Sequence, residues 1–235
     1  MISFEKVTKN FGSITALSDI SFEIEKGEFV FLTGASGAGK TTLLRLFLGE
    51  FLPSSGEIQV NGEKLSHIPE KKLFKWRRKL GVVFQDYKLF SDKTVYENVA
   101  LPLHIRKTSS KDCDLKVKKV LEMVGLSERA GLFPSQLAGG ELQRTSLARA
   151  VITGPDILLA DEPTGNLDPK TAKEMMALFK EINKQGTTIL MATHNCDIVD
   201  SFNGRVIELQ KGKIIRDEKE AKYHKKEEKI EKNDD

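Results

Sequence analysis

Apolar and polar residues alternate through the opening stretch of the chain. Ile2, Phe4 and Val7, and later Ile20, Phe22 and Ile24, are each set among polar neighbours. A period of two turns one face of a strand to a core and the other to water, so this stretch predicts half-buried strands. Gly56-Glu57-Ile58-Gln59-Val60 adds another strand and runs into Asn61-Gly62, a pair suited to a tight turn. Between Lys107 and Gly125 the period lengthens, and Cys113, Val117, Val120, Leu121 and Val124 share one helical face. Glu28-Phe29-Val30-Phe31-Leu32-Thr33 reads as a short strand. Ile157–Ala160 and Thr187–Ala192 read as strands buried on both sides of a parallel sheet. Between those two, Ala172, Met175, Met176, Phe179 and Ile182 mark an amphipathic helix with a core-facing side. Strand–helix–strand alternation beside a β-rich layer predicts an α/β fold.

The strand at Phe29 leads directly into Gly34-Ala35-Ser36-Gly37-Ala38-Gly39-Lys40-Thr41-Thr42, which meets G-x-x-x-x-G-K-[ST] at every fixed position. Leu43 to Leu48 then reads as helix before Gly49. Glycines let such a loop curl until successive N–H groups point at a polyphosphate. The helix N-terminus adds its dipole, and Lys40 adds a mobile charge. The buried run at Ile157 ends in Asp161-Glu162. Alone, two acids before Pro163 would be turn residues. At the C-terminal edge of a sheet that carries a phosphate loop, they can hold Mg²⁺ and polarise water. Asp161 is assigned to the metal with Thr41 as fellow ligand, which leaves Glu162 as candidate general base. Ala138-Gly139-Gly140 opens a further helix carrying Leu142, Leu147, Ala148 and Val151, a second anion site. One chain needs one cradle per nucleotide, so a second makes sense if it closes on the nucleotide of a partner chain.

Composition narrows the picture further. At 235 residues the chain fits one domain, or one core with an inserted subdomain. A formal charge of +3 is too small to imply a nucleic-acid or acidic-lipid partner. No apolar run approaches the roughly 18 residues of a membrane span, and no signal-peptide pattern opens the chain, so a membrane role is expected to come through another subunit. Cys113 and Cys196 lack ligand-like spacing and read as reduced thiols of a cytosolic protein. From Asp217 to Asp235 there are six lysines against eight acids and almost no apolar residues. This is expected to be a charged, largely disordered tail, with helix-favouring pairs at Glu218–Lys222 and Glu228–Lys232 and no character of a nucleic-acid arm.

Taken in order, the phosphate loop, Gln85 in Val83-Phe84-Gln85-Asp86, the Gly-Gly segment, Asp161-Glu162, Asn166-Leu167-Asp168 and His194 resemble an ABC-type ATPase. The resemblance covers residues 1 to about 216. Within the family, Phe84–Leu89, Thr94–Val99 and the run Ala160–Asp168 are most similar to cell-division members. The last run is shared with lipoprotein-releasing and macrolide-exporting relatives. The resemblance implies a P-loop NTPase core with an antiparallel β layer and a helical subdomain inserted at about 87–152. It implies Mg²⁺-dependent ATP hydrolysis by a homodimer that forms on ATP binding. The chain would sit on the cytoplasmic inner face of the cell membrane, peripheral to an integral membrane subunit that regulates cell-wall hydrolysis. The alternatives are an exporter ATPase and a soluble ABC protein of DNA repair or translation. The latter usually carries two ATPase units or long insertions, and neither is present.

Residue by residue, the resemblance implies that Phe11 stacks on adenine and that residues 34–42 hold the phosphates. Gln85 touches Mg²⁺ and the attacking water. Asp168 reaches across the dimer, and His194 binds the γ-phosphate and orients the water. The groove beside Gln85 receives a short helix of the membrane subunit, where Tyr87, Leu89, Phe90 and Val95 would lie. Three positions depart from the family pattern: Phe11 stands where tyrosine is usual, Ala138 where serine is, and Leu142 where glutamine is. Without the serine hydroxyl, weaker dimer closure is expected rather than lost activity.

Overall fold

A computed structural model describes residues 1–202 and 204–219 of the chain. The alternating N-terminal segments form strands β1 (Ile2–Phe11) and β2 (Ile14–Ile24), followed by β3 (Phe29–Thr33) and helix α1 (Lys40–Phe47). Next come β4 (Ser55–Val60), β5 (Glu63–Lys64), α2 (Leu73–Arg77) and β6 (Leu80–Val83). Three helices follow, α3 (Val95–Ile105), α4 (Ser110–Met123) and α5 (Gly139–Val151). The chain returns through β7 (Ile157–Asp161), α6 (Pro169–Lys184), β8 (Thr188–Ala192), α7 (Cys196–Phe202), β9 (Arg205–Gln210) and β10 (Lys213–Glu218).

Two sheets result. The alternating strands pair antiparallel in the order β2-β1-β4-β5, and the larger sheet runs β10-β9-β3-β8-β7-β6. In that larger sheet every pairing is parallel except β10 on β9. Its central strands are fully buried, which explains why Val30, Phe31 and Leu32, or Leu158 to Ala160, show no alternation. One core lies between the two sheets and takes in Phe4, Leu17, Phe47 and Leu190. A second, on the other face, packs Leu147 and Ala150 of α5 with Met175 and Phe179 of α6. A third joins α3, α4 and part of α5 through Val95, Val99, Val117, Leu121 and Ala148. The helical segment is therefore not walled off: α5 belongs to two cores.

This topology brings the chemistry to one edge. Strands β3, β8, β7 and β6 are neighbours and parallel, so their C-terminal ends open on the same side of the sheet. Residues 34–39, Thr193-His194, Asp161-Glu162 and Phe84-Gln85 all leave from that edge.

The expected start of the tail is corrected. Asp217 and Glu218 belong to β10, where they pair with Ile207 and Val206. Arg205 holds Asp217 at 2.7 Å and Glu28 at 3.1 Å, and donates to the Glu23 carbonyl. These partners, Asp217 first, push its pKa still higher despite partial burial. An acid chosen for composition alone is here a structural ion-pair partner. The tail expectation for residues 220–235 lies outside the described residues.

Candidate active site

The phosphate loop closes on itself through backbone geometry that only glycine supplies cheaply. Gly34 has φ of 133°, and a Cβ there would sit 2.2 Å from the Leu209 carbonyl oxygen. Gly39 has φ of 111°, and a Cβ would meet Leu17 Cδ2 at 2.7 Å. Lys40 opens α1 inside the loop, only 7% exposed. Its ammonium donates to the carbonyls of Gly34 (2.7 Å) and Ala35 (3.2 Å) and lies 3.7 Å from Glu162 Oε1.

Glu162 is the joint of the site. Its φ of 48° is left-handed, an uncommon conformation for a non-glycine residue, while its N–H continues the sheet by donating to Ala192 O at 2.9 Å. The carboxylate faces His194 Nδ1 at 2.9 Å, and its other oxygen accepts from the His194 N–H at 3.3 Å. A carboxylate is an acceptor, so Nδ1 carries the proton in this contact. Beside it, Thr41 Oγ1 and Asp161 Oδ1 are 3.4 Å apart. Burial pushes the Asp161 carboxyl above its ordinary range, and the Thr41 hydroxyl opposes the shift. Hydroxyl, carboxylate and the nearby Gln85 amide form an oxygen-rich set of the kind that suits Mg²⁺.

Residues 35–42, Gln85, Glu162 and His194 line one cleft of about 530 Å³. Gln85 and Thr41 also line an adjoining cavity that reaches Asp161 and Asn166. Gly34 lies behind the cleft as an acceptor for Lys40. Phe11 is elsewhere, at the end of β1 and 41% exposed. Ala138, Gly139 and Gly140 form the exposed or half-buried start of α5 and do not line this cleft. Asp168 is already engaged within its own chain: it caps α6 by accepting from the N–H groups of Lys170 (3.0 Å) and Thr171 (3.1 Å). The Thr171 side-chain hydroxyl, and after it these N–H bonds, hold its carboxyl below the ordinary range.

Several positioning residues gave no sequence signal strong enough to find. Arg149 donates to the carbonyls of Tyr87 (2.8 Å) and Lys88 (2.7 Å), and Ser146 to Tyr87 O (3.1 Å). They hold a reversal in which Tyr87 and Lys88 both have positive φ. Asn98, fully buried, accepts from Phe90 N–H and donates to the carbonyls of Phe90, Lys93 and Thr94. A lone amide on the apolar face of α3 was its only sequence trace. Val95, expected in the docking groove, is instead wholly buried in the helical core. As the first residue after a capping Thr94, it is carried inward with Val99.

With this geometry in view, the profile of the ABC transporter family matches residues 17–165. The chain belongs to that family. It is 47% identical over 225 residues to the cell division ATP-binding protein FtsE of Mycobacterium tuberculosis, covering 95% of this chain and 98% of the relative. To FtsE of Bacillus subtilis it is 46% identical, with coverage of 95% and 98%. Among solved structures, a dimer of the ATP-binding cassette MJ0796, bound to ADP and Pi after hydrolysis, matches with a TM-score of 0.86 and 35% identity. That match covers 95% of this chain and all of the other. The cassette is thus an ATPase of FtsE type.

Proposed function

We propose that this ATPase acts in cell division, transmitting ATP-driven closure of a homodimer to an integral membrane subunit of the FtsX type that regulates cell-wall hydrolysis. The single observation that carries the hydrolytic part is the position of Glu162, within reach of both Lys40 and His194 at the lip of the cradle. In this reading Glu162 accepts the proton of the attacking water. His194 is oriented by its Nδ1–H contact to Glu162 and offers Nε2 to the γ-phosphate. Lys40 and the N–H groups of residues 35–42 take the developing phosphate charge, since phosphoryl transfer is mainly positioning and charge stabilisation. Thr41, Asp161 and Gln85 would hold Mg²⁺, which supplies charge neutralisation to the phosphates when bound. Phe11 stacks on adenine. Ala138, Gly139, Gly140 and Asp168 face the nucleotide of the second copy.

The membrane role rests on likeness to FtsE over nearly the whole chain. No helix among the described residues is long and apolar enough to cross a membrane. We read the chain as peripheral on the cytoplasmic face, with residues about 87–152 as the helical subdomain beside which the partner docks. A groove of about 550 Å³ supports this, lined in part by Phe74, Phe90, Ile105, Arg106 and Arg149, with Phe90 47% exposed. Phe90→Asp should release the protein from its native membranes at unchanged ATP affinity, because the ring is not part of the folded core. Retention of the Phe90→Asp protein on membranes, measured by flotation and pull-down of the membrane subunit, would argue for another docking face. Recovery of an exporter subunit in that pull-down would instead select the exporter reading.

A further inference from the structure

Phe11 is not an isolated ring. It meets Phe51, from the loop after α1, edge to face with centroids 5.2 Å apart and planes at 81°. Lys9 lays its ammonium over both, 5.0 Å from the Phe11 centroid and 5.5 Å from that of Phe51. The same ammonium donates to Leu52 O at 2.8 Å, and two further hydrogen bonds, Asn10 N–H to Ser54 Oγ (3.0 Å) and Ser54 N–H to Thr8 O (2.8 Å), lace this loop to β1. Phe51 is partly buried against the core beneath α1. The helix that begins at the phosphate loop therefore ends in the loop that supports Phe11.

A phenylalanine has no hydroxyl with which to fix its ring, and an exposed ring loses side-chain freedom when it stacks. An edge-on aromatic neighbour and a cation on the ring remove much of that freedom beforehand, which is preorganisation. We propose that Phe51 and Lys9 are positioning residues that hold the Phe11 ring ready to stack on the base of ATP. The inference rests on the reading of Phe11 as the stacking residue.

Calorimetry on dilute protein, with ATP and with inorganic tripolyphosphate as separate ligands, tests it. Phe11→Ala should weaken ATP binding about tenfold, a loss of one stacking contact worth roughly 1.4 kcal/mol. Phe51→Ala should weaken ATP binding about three- to tenfold and leave tripolyphosphate affinity unchanged, and Phe51→Tyr should restore it. Lys9→Gln, at a half-buried site that leaves the core intact, should give a smaller loss in the same sense. In the Phe11→Ala background, Phe51→Ala should add nothing, because its action runs through Phe11. Normal ATP affinity in Phe51→Ala beside a weakened Phe11→Ala would overturn the inference alone. Parallel loss of ATP and tripolyphosphate would also overturn it, reducing Phe51 to a structural residue. Unchanged ATP affinity in Phe11→Ala would overturn the stacking reading itself, and the inference with it.

Discussion

Two helix N-termini in this chain are proposed to face phosphate, and they are built differently. At α1 the loop is bent by glycines, and the first helical residue is a lysine held inside it by two loop carbonyls. At α5 the capping position is Ala138, in extended conformation with no side-chain acceptor, and the first turn carries an acid, Glu141. That acid accepts from the Ala138 N–H at 2.9 Å and pairs with Arg129 at 2.8 Å. A cation at one N-terminus and a carboxylate at the other mean unequal pull on an anion. In the proposed reading the α1 cradle holds a polyphosphate by itself, whereas the α5 terminus contributes little until a second copy brings one to it. Affinity for nucleotide and closure of the dimer are, in that reading, housed in separate parts of the molecule.

The largest effects should come from the α1 side. Lys40→Ala removes the buried ammonium and should lower ATP affinity about 100-fold, on the scale of a charged hydrogen bond of about 3 kcal/mol. Glu162→Gln should keep ATP affinity, lower turnover by roughly 10²- to 10⁴-fold as for loss of a general base, and accumulate ATP-bound dimer. Equilibrium binding and single-turnover hydrolysis separate the two variants. If both lost affinity equally, Glu162 would be a binding residue, and the division between holding and hydrolysing would fail.

Much of this was legible in the sequence because strong local rules were obeyed. The phosphate loop, the apolar runs of β7 and β8 and the face of α6 each carry a pattern that tertiary context does not override. The same holds for the placement of Asp161-Glu162, which depends only on ending a buried strand beside that loop. What was not legible depends on contacts distant in sequence. Gly81 and Val82 of β6 make too short a run to register, and β9 with β10 alternates among charges until Arg205 is seen between Glu28 and Asp217. Asp168 could be noted from its motif, but its cap on α6 requires the helix start at Pro169. Phe51 beside Phe11 has no linear signature at all.

A smaller effect should follow from repairing the α5 terminus. Ala138→Ser places a hydroxyl that can accept from the first turn while donating to a phosphate of the other copy. The donated bond is worth about 1.5–3 kcal/mol, or roughly 10- to 100-fold in the closed-dimer equilibrium, less if water already bridges the gap. On the Glu162→Gln background, sedimentation should find the ATP-induced dimer at lower protein concentration in the serine variant. ATP affinity of the monomer should not move, since α1 sets it. A gain in monomer affinity would merge the two termini into one site and remove the contrast drawn above.

The smallest effect concerns Glu141. The Ala138 N–H, and after it Arg129, hold the Glu141 carboxyl below its ordinary value of 4.5. A carboxylate lowered in the folded state stabilises the fold above its unfolded pKa, and that contribution is lost as pH falls through the folded value. Glu141→Gln keeps an oxygen for the Ala138 N–H but loses the charge, at a cost of about 0.2–1 kcal/mol for a partly exposed pair. The melting temperature at pH 7 should drop by about 0.4–4 °C for a chain of this size. As pH falls below the ordinary carboxylate range the wild-type carboxylate also loses its charge, so the difference between the two proteins should narrow. A gap that stayed constant over that range would assign the effect to packing rather than charge. ATP affinity should be the same in both proteins at pH 7, because nothing at the start of α5 reaches the cradle that Lys40 closes.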